Sequence, residues 1–264
     1  MSASPIALPG VVAVNTFREA VRDRVLYNLI FFALMMIAAA ILVGQISIGI
    51  EHLVIINLGL SAISLFGLIM AIFIGVGLVY KEMEKRTLYS LLAKPVRRWQ
   101  FLVGKYAGLL LTLIVNTSFM TLGLLAALLY VGHGHFGGPT IPILVAVYFI
   151  LLELALVTAL ALFFSCFSSP MLSTLFTLGI YITGVFAQDI RDFGEVTGKS
   201  GLGAMTRVIY YFLPNFHNFN AIAAASHGDP IPVPLIAQNT LYAFLYVTVI
   251  LLASATVFSR RNLK

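Results

Sequence analysis

Long uncharged stretches are the feature that most constrains how this chain can fold. Five of them together contain 160 residues and a single charge, and they cover residues 26–50, 53–80, 106–132, 139–188 and 230–259. Runs of 18 or more uncharged apolar residues predict membrane-spanning helices. Four stretches are one span long, whereas residues 139–188 are two spans long and break at residues 165–170. The pattern therefore predicts six spans and excludes a water-soluble globule.

The composition agrees with this division. Hydrophobic residues make up 60% of the chain and charged residues 10%, against about 25% charged residues in soluble domains. We expect an all-α polytopic membrane protein with one transmembrane domain over residues 1–264. Its six predicted spans are residues 26–50, 53–80, 106–132, 139–164, 171–188 and 234–258.

The basic residues predict the orientation of the spans. If the N-terminus is cytoplasmic, 13 of the 16 lysines and arginines lie on the cytoplasmic side, and only Arg191, Lys199 and Arg207 lie outside. Basic residues concentrate in cytoplasmic segments of membrane proteins. We therefore predict that both termini are cytoplasmic, and that the net charge of +6 reports orientation rather than nucleic-acid binding.

Two segments outside the spans carry a helical or apolar pattern. Residues 9–24 place valines and Phe17 on one face and charged residues on the other, which predicts an amphipathic helix in the cytoplasmic interface. Residues 189–233 form the largest outer segment, which is too apolar for a free loop and too short to span twice. Here the sequence predicts a re-entrant hairpin, with short helices over Leu202–Leu213 and Asn215–Ala225 separated by Pro214. The predicted outer gate consists of Tyr210, Tyr211, Pro214, Asn215 and Phe219.

The sizeable cytoplasmic connection covers residues 82–98. Leu88, Leu91, Leu92 and Pro95 have the spacing i, i+3, i+4 and i+7, so a short helix there has one apolar side and ends at the proline. Just beyond it, Gly104 and Gly108 form a G-x-x-x-G pattern. That spacing permits two helices to approach closely.

No catalytic constellation stands out. The lone cysteine, Cys166, excludes an internal disulfide, and His133 with His135 is more typical of loop histidines than of a metal site. Residues 194–200 resemble a phosphate loop but have three residues instead of four between the glycines. We therefore predict no ATPase site, no metal and no enzymatic activity in this chain. Glu153 is costly at membrane depth, and either a translocation-pathway role or a hydrogen bond across helices would explain it.

The connection resembles the cytoplasmic signature of ABC-2-type permeases, the six-helix subunits of many ABC transporters. The matching residues are Glu82, Thr87, Leu88, Leu91, Leu92, Pro95 and Arg97, while Arg86 replaces the usual glycine. The layout is also similar: an interfacial elbow helix, six spans, one coupling segment after the second span and an outer hairpin before the sixth. Among subfamilies the chain looks closest to the permeases that serve nitrous-oxide reductase maturation.

The resemblance implies a mechanism and partners. Two permease chains, identical or homologous, would face each other in the lipid of a bacterial or archaeal inner membrane, above a pair of ATPase subunits that bind ATP and magnesium. The ATPase-coupling interface would comprise Glu82, Glu84, Lys85, Arg86, Thr87, Leu88, Leu91, Leu92 and Pro95. The alternative function is a proton-coupled secondary carrier, or a stand-alone membrane scaffold, that uses Glu153. The uncharged spans favour an apolar or amphipathic substrate.

Overall fold

The structure, a computed structural model, describes residues 7–47, 49–84, 98–133, 140–196 and 210–260. The described residues form helices and no strands. The α-helices, numbered α1 to α9 in chain order, are Ala7–Val21, Arg24–Ile46, Glu51–Glu84, Arg98–Val131, Thr140–Ser165, Pro170–Val185, Ala187–Val196, Ile222–His227 and Val233–Arg260. A 3-10 helix, η1, covers Phe216–Phe219 between α7 and α8.

Within the described residues, five helices are long and apolar enough to cross a membrane: α2, α3, α4, α5 and α9. The fifth predicted span differs from them. Helix α6 has 16 residues, or about 24 Å at 1.5 Å per residue, and a bend of 56° separates it from α7. The two helices together count as a sixth span only if the bent pair is taken as one.

Several helices extend beyond their predicted spans. Helices α3 and α4 each have 34 residues, about 50 Å of helix against a hydrocarbon core of about 30 Å. The predicted third span begins at residue 106, whereas α4 begins at Arg98. Helix α3 continues seven residues past its apolar window, which ends at Gly77. Charged residues near the helix ends do not stop a helix, because its backbone hydrogen bonds are internal, so apolar length underestimates helix length.

The main apolar core lies among α2, α3, α4, α5 and α9. It includes Ile55, Leu60, Leu124 and Leu154, all fully buried. Helix α5 is the most buried of the membrane-length helices and packs against α3, α4, α6 and α9. We call the bundle end that contains the starts of α3, α5 and α9 the distal end, which the basic residues predict to be outside.

A second apolar cluster lies at the opposite, proximal end. It joins residues near the end of α1, the start of α4 and the ends of α5 and α9, namely Ala20, Phe101, Leu102, Tyr106, Leu109, Ala159, Leu162, Cys166 and Phe258. The predicted interfacial helix is therefore not isolated on a surface. Its sequence, now α1, packs along α4.

Candidate functional site

The predicted ATPase-coupling interface lies largely outside the described residues. Glu82 and Glu84 are in the last turn of α3. Seven other predicted contact residues fall between the described ends of α3 and α4: Lys85, Arg86, Thr87, Leu88, Leu91, Leu92 and Pro95. The structure thus places the flanks of the connection, since α3 ends at Glu84 and α4 starts at Arg98.

The start of α4 is fixed by α1 through two glycines. A Cβ atom at Gly104 would lie 2.7 Å from the carbonyl oxygen of Pro9, and one at Gly108 would lie 2.5 Å from that of Ala13. Such distances are too short for any side chain, so the backbones of α1 and α4 are in direct contact. The G-x-x-x-G pattern predicted a close helix approach, and the structure shows that α1 is the helix that approaches.

A buried lysine lies between these two glycines in sequence. Lys105 is 1% exposed, and its Nζ lies 5.8 Å from the centroid of the Phe101 ring. An ammonium group at this distance is attracted by the face of the ring. Lys105, one of the basic residues counted on the cytoplasmic side, is part of the packed proximal end.

Glu153, the candidate translocation-pathway residue, is buried near the middle of α5. Its side chain is 7% exposed, and Tyr181 on α6 is a polar neighbour of its carboxyl group. A carboxyl group inside a membrane bundle is costly without a polar neighbour. Both roles considered from the sequence, a place in the translocation pathway and a hydrogen bond across helices, stay predictions.

The residues of the predicted outer gate differ in burial. Pro214, Asn215 and Phe219 are buried, whereas Tyr211 is 74% exposed. Tyr210 is half-buried, and the guanidinium of Arg191 on α7 lies 5.1 Å from its ring centroid. The buried part belongs to residues 213–227, which we call the docked segment.

The predicted helix over Asn215–Ala225 is wrong. The docked segment instead contains η1, the six-residue α8 and five residues outside both helices. Asn215 does cap the element that follows it, because its side-chain oxygen accepts a hydrogen bond from His217 N at 3.1 Å. Helix α8 packs against α3 and α5. The alanine-rich sequence after Phe219 is helical in α8, and Asn220 and Ala221 separate it from η1.

Two tyrosines of α9 hold the non-helical backbone on either side of Pro214. The Asn215 N–H donates to the Tyr242 hydroxyl at 2.8 Å, and the Tyr246 hydroxyl donates to the Leu213 carbonyl at 3.4 Å. One turn earlier on α9, Asn239 Nδ2 donates to the carbonyl of Asn218 at 2.7 Å. These bonds satisfy backbone groups that no helix satisfies, which is the condition for irregular backbone at membrane depth.

These α9 residues were missed in the sequence, although a signal exists. Asn239, Tyr242 and Tyr246 have the spacing i, i+3 and i+7, so they share one face of a span. A polar stripe on an otherwise apolar span predicts polar partners in the bundle. Tyr181 and Gly184 on α6 gave no comparable signal.

The described residues do not contain the ligand sets that hold metal ions in proteins. No group of three or more histidine, cysteine, aspartate or glutamate side chains occurs there that could hold a metal ion. His133 is described at the end of α4, but His135 is not.

Taken together, the apolar helices, the buried carboxyl group and the internally satisfied backbone define an all-α, multi-pass membrane protein. The family model described as "ABC-2 family transporter protein" matches residues 11–263. The chain therefore belongs to the ABC-2 transporter family, as the signature in residues 82–98 predicted. No curated protein matches the sequence, and the predicted likeness to the nitrous-oxide-reductase-maturation subfamily stays a prediction.

Proposed function

We propose that this chain is the permease subunit of an ABC transporter and couples ATP hydrolysis on separate ATPase subunits to movement across the membrane. The observation that carries the proposal is the family match over residues 11–263, almost the whole chain. ATP and magnesium would bind the ATPase pair, and this subunit would contribute no nucleotide site. We further propose a bacterial or archaeal inner membrane, with both termini cytoplasmic.

The geometry of the proximal end supports coupling through residues 82–98. Helix α3 extends about 10 Å past its apolar window, so the connection leaves the membrane on a continuous helix. Helix α4 begins directly after the connection and is fixed by backbone contact with α1. A force that an ATPase applies to residues 82–98 would be passed on to α3 and α4, because both helices are long and packed in the bundle. This arrangement suits transmission of force from an ATPase.

A change of charge in the connection tests the coupling. Leu88→Asp combined with Leu91→Asp places two carboxylates in the proposed apolar contact. We expect vanadate-sensitive ATP hydrolysis that co-purifies with the tagged chain to fall at least about tenfold, since each buried charge without a partner costs several kcal/mol. Leu88→Met with Leu91→Met keeps the contact apolar and serves as the control. Undiminished co-purification of ATPase activity with the inserted Asp variant would refute the coupling role.

The membrane face of α6 supports a unit with two permease chains. An apolar cavity of about 530 Å³ lies between α3 and α6, open at one side, with Phe73, Val76, Gly77, Met171 and Leu175 among its lining residues. Helix α6 is also shorter than the hydrocarbon core is thick. We propose that a second permease faces this side, and that an apolar or amphipathic substrate moves between the copies.

Disulfide cross-linking tests this arrangement. In a Cys166→Ser background, Leu175→Cys should form a cross-linked dimer in membranes under mild oxidation. Leu252→Cys on α9 is similarly exposed, at 63% against 62% for Leu175, and should remain monomeric. A dimer through Leu252 with none through Leu175 would place the second copy on the other face.

The alternative function, a proton-coupled carrier or scaffold that uses Glu153, has less support. Glu153 is the single charge in the 160 residues of the five apolar stretches. A proton pathway ordinarily uses several ionisable groups. We therefore propose that Glu153 acts in the path as a polar neighbour of Tyr181 rather than as a proton carrier.

A further inference from the structure

We propose that the cavity between α3 and α6 holds one acyl chain of a glycerophospholipid from the membrane leaflet at the proximal end. The cavity has a volume of about 530 Å³ and is open at one side. The site is complete in one chain and requires no ATPase, nucleotide or transported substrate, so it goes beyond the proposed function. A second permease on this side would cover the lipid rather than replace it.

The cavity lies at membrane depth and reaches the proximal boundary of the apolar sequence. On α3 the described lining extends to Gly77, one helical turn before Lys81. On α6 the lining begins at Pro170, the first residue of the helix, which directly follows Ser168 and Ser169. Polar sequence therefore begins at the proximal end of the cavity on both helices. A phospholipid can keep its head group there while one chain enters the cavity.

The lining favours hydrocarbon over water. Among the described residues that form it, Thr174 alone has a polar side chain, and its hydroxyl donates to the carbonyl of Pro170 at 2.9 Å. A buried water requires roughly two to four polar partners, which this lining does not offer. An empty apolar cavity would lose the dispersion contacts of its walls. A chain of the surrounding membrane restores those contacts without the need for a hydrogen bond.

The dimensions fit a chain rather than a small solute. A cavity of about 150 Å³ is enough to hold benzene, and this one, at about 530 Å³, is more than three times as large. The lining follows α6 from Pro170 to Leu178, or about 12 Å of helix. Several methylene groups of one acyl chain can therefore lie along α6, while the second chain of the lipid stays in the bilayer.

The open side of the cavity faces the membrane. Met171 is 85% exposed, and Leu175 and Phe73 are exposed to about the same degree as each other, at 62% and 61%. Methionine is unbranched and adapts its shape to a neighbour, so Met171 can close over a chain after it has entered. Leu252 of α9 is as exposed as Leu175 but does not line this cavity, and it provides a reference for ordinary boundary lipid.

Photolabelling tests the site with the purified full-length chain in nanodiscs of dioleoyl-phosphatidylcholine. The probe is a small fraction of phosphatidylcholine with a diazirine group on one acyl chain, and mass spectrometry locates the adducts after irradiation. The measured quantity is the adduct yield on residues 170–178 divided by the yield on residues 244–252 of α9. We expect a ratio of at least about five, which corresponds to a preference of about 1 kcal/mol for the cavity.

A larger residue at Gly77 should displace the chain. A Cβ atom at Gly77 meets nothing within 4 Å, so the ring of Gly77→Phe has room to enter the cavity without moving a helix. We expect the ratio to fall at least about fivefold. Gly179→Phe is the matched control, because Gly179 also has nothing within 4 Å and lies on α6 outside the lining. Its ratio should stay within about twofold of the parent.

A second pair of variants tests the same site from α6 and decides the question if Gly77→Phe does not insert. Leu175→Trp narrows the opening and should lower the ratio. Ile182→Trp is its control, because Ile182 is also exposed and lies about two turns further along the helix.

Three results would overturn the lipid site. The first is a ratio near one in the parent, which would indicate boundary lipid only. The second is an equal ratio in a variant and its control. The third is labelling that occurs in monomers and is lost in dimers, because side chains of a second copy would then fill the cavity. None of these results changes ATPase co-purification, which tests the permease function separately.

Discussion

Both ends of the bundle hold a segment that does not span the membrane, and they hold it by different means. At the proximal end, α1 lies on α4 with its Pro9 and Ala13 carbonyls against Gly104 and Gly108. At the distal end, the docked segment rests on Gly184 of α6 and is bonded to side chains of α9. A glycine permits the close approach in each place, and at the distal end side chains of α9 also bond the backbone of the docked segment.

The difference follows from the backbone of each segment. Helix α1 satisfies most of its own N–H and C=O groups, so shape and close contact are enough to dock it. The docked segment changes from η1 to α8 around Asn220 and includes Pro214, which has no N–H. Its free backbone groups must find partners in the bundle. The proximal end, where α1 is a regular helix, is suited to a rigid contact. The distal end, where side-chain hydrogen bonds hold the docked segment, is suited to opening and closing.

A substitution in the α1–α4 contact at the proximal end should have the largest effect on stability. Gly108→Leu adds a side chain where a Cβ would already lie 2.5 Å from the Ala13 carbonyl, which forces α1 away from α4. We expect a loss of about 3 kcal/mol in the free energy of unfolding in SDS, the upper part of the range for overpacking. Gly10→Leu, on α1 with nothing within 4 Å, should change stability little. Equal behaviour of the two variants would show that α1 does not depend on close contact.

The distal segment should loosen without global loss of structure. Tyr242→Phe with Tyr246→Phe leaves the Asn215 N–H and the Leu213 carbonyl without their partners, at a cost of about 1–3 kcal/mol. The labelling of Ala225→Cys with a membrane-impermeant maleimide in the Cys166→Ser background should rise, while the SDS unfolding midpoint changes less than in Gly108→Leu. A stable protein with unchanged labelling would mean that the α9 tyrosines are not what holds the docked segment.

A hydrogen bond between two regular helices should matter least. The hydroxyls of Tyr148 on α5 and Thr240 on α9 are 2.8 Å apart, but Thr240 also donates to the Ile236 carbonyl at 2.7 Å. Tyr148→Phe leaves no backbone group unsatisfied, so we expect about 0.6 kcal/mol or less in the same SDS assay, the average for hydrogen bonds between membrane helices. If Tyr148→Phe lost as much stability as Tyr242→Phe with Tyr246→Phe, hydrogen bonds to irregular backbone would not differ from those between regular helices, and the comparison of the two ends would fail.

The sequence predicted the regular parts of this fold well. Uncharged length predicted six spans, because the cost of charge in hydrocarbon acts residue by residue, and five of them are membrane-length helices in the structure. The family followed from seven residues of the connection and was confirmed by the match over residues 11–263. Asn215 as a cap also followed from local chemistry, since the capping side chain and the backbone N–H that donates to it are two residues apart.

The bend after α6 and the division of the docked segment could not be predicted in this way. Nothing near Val185 breaks a helix as a proline would, yet the chain turns by 56° there. Asn215–Ala225 is locally compatible with one helix, but Phe216, Phe219 and Ala225 fill separate places in the core among α3, α5, α6 and α9. Local preference of a fraction of a kcal/mol per residue is small beside the burial of an aromatic ring.

What the sequence alone determined is thus the solvent of each segment: lipid for the spans, water for the charged connection, and an intermediate place for the apolar outer segment. The tertiary structure decided which groups meet. Gly104 and Gly108 could have faced any helix and face α1; Tyr242 could have bonded to any polar group and accepts from the Asn215 N–H, 27 residues away. Partition into a membrane depends on the sum of local side-chain free energies, whereas partner choice depends on distances set by all helices packing at once.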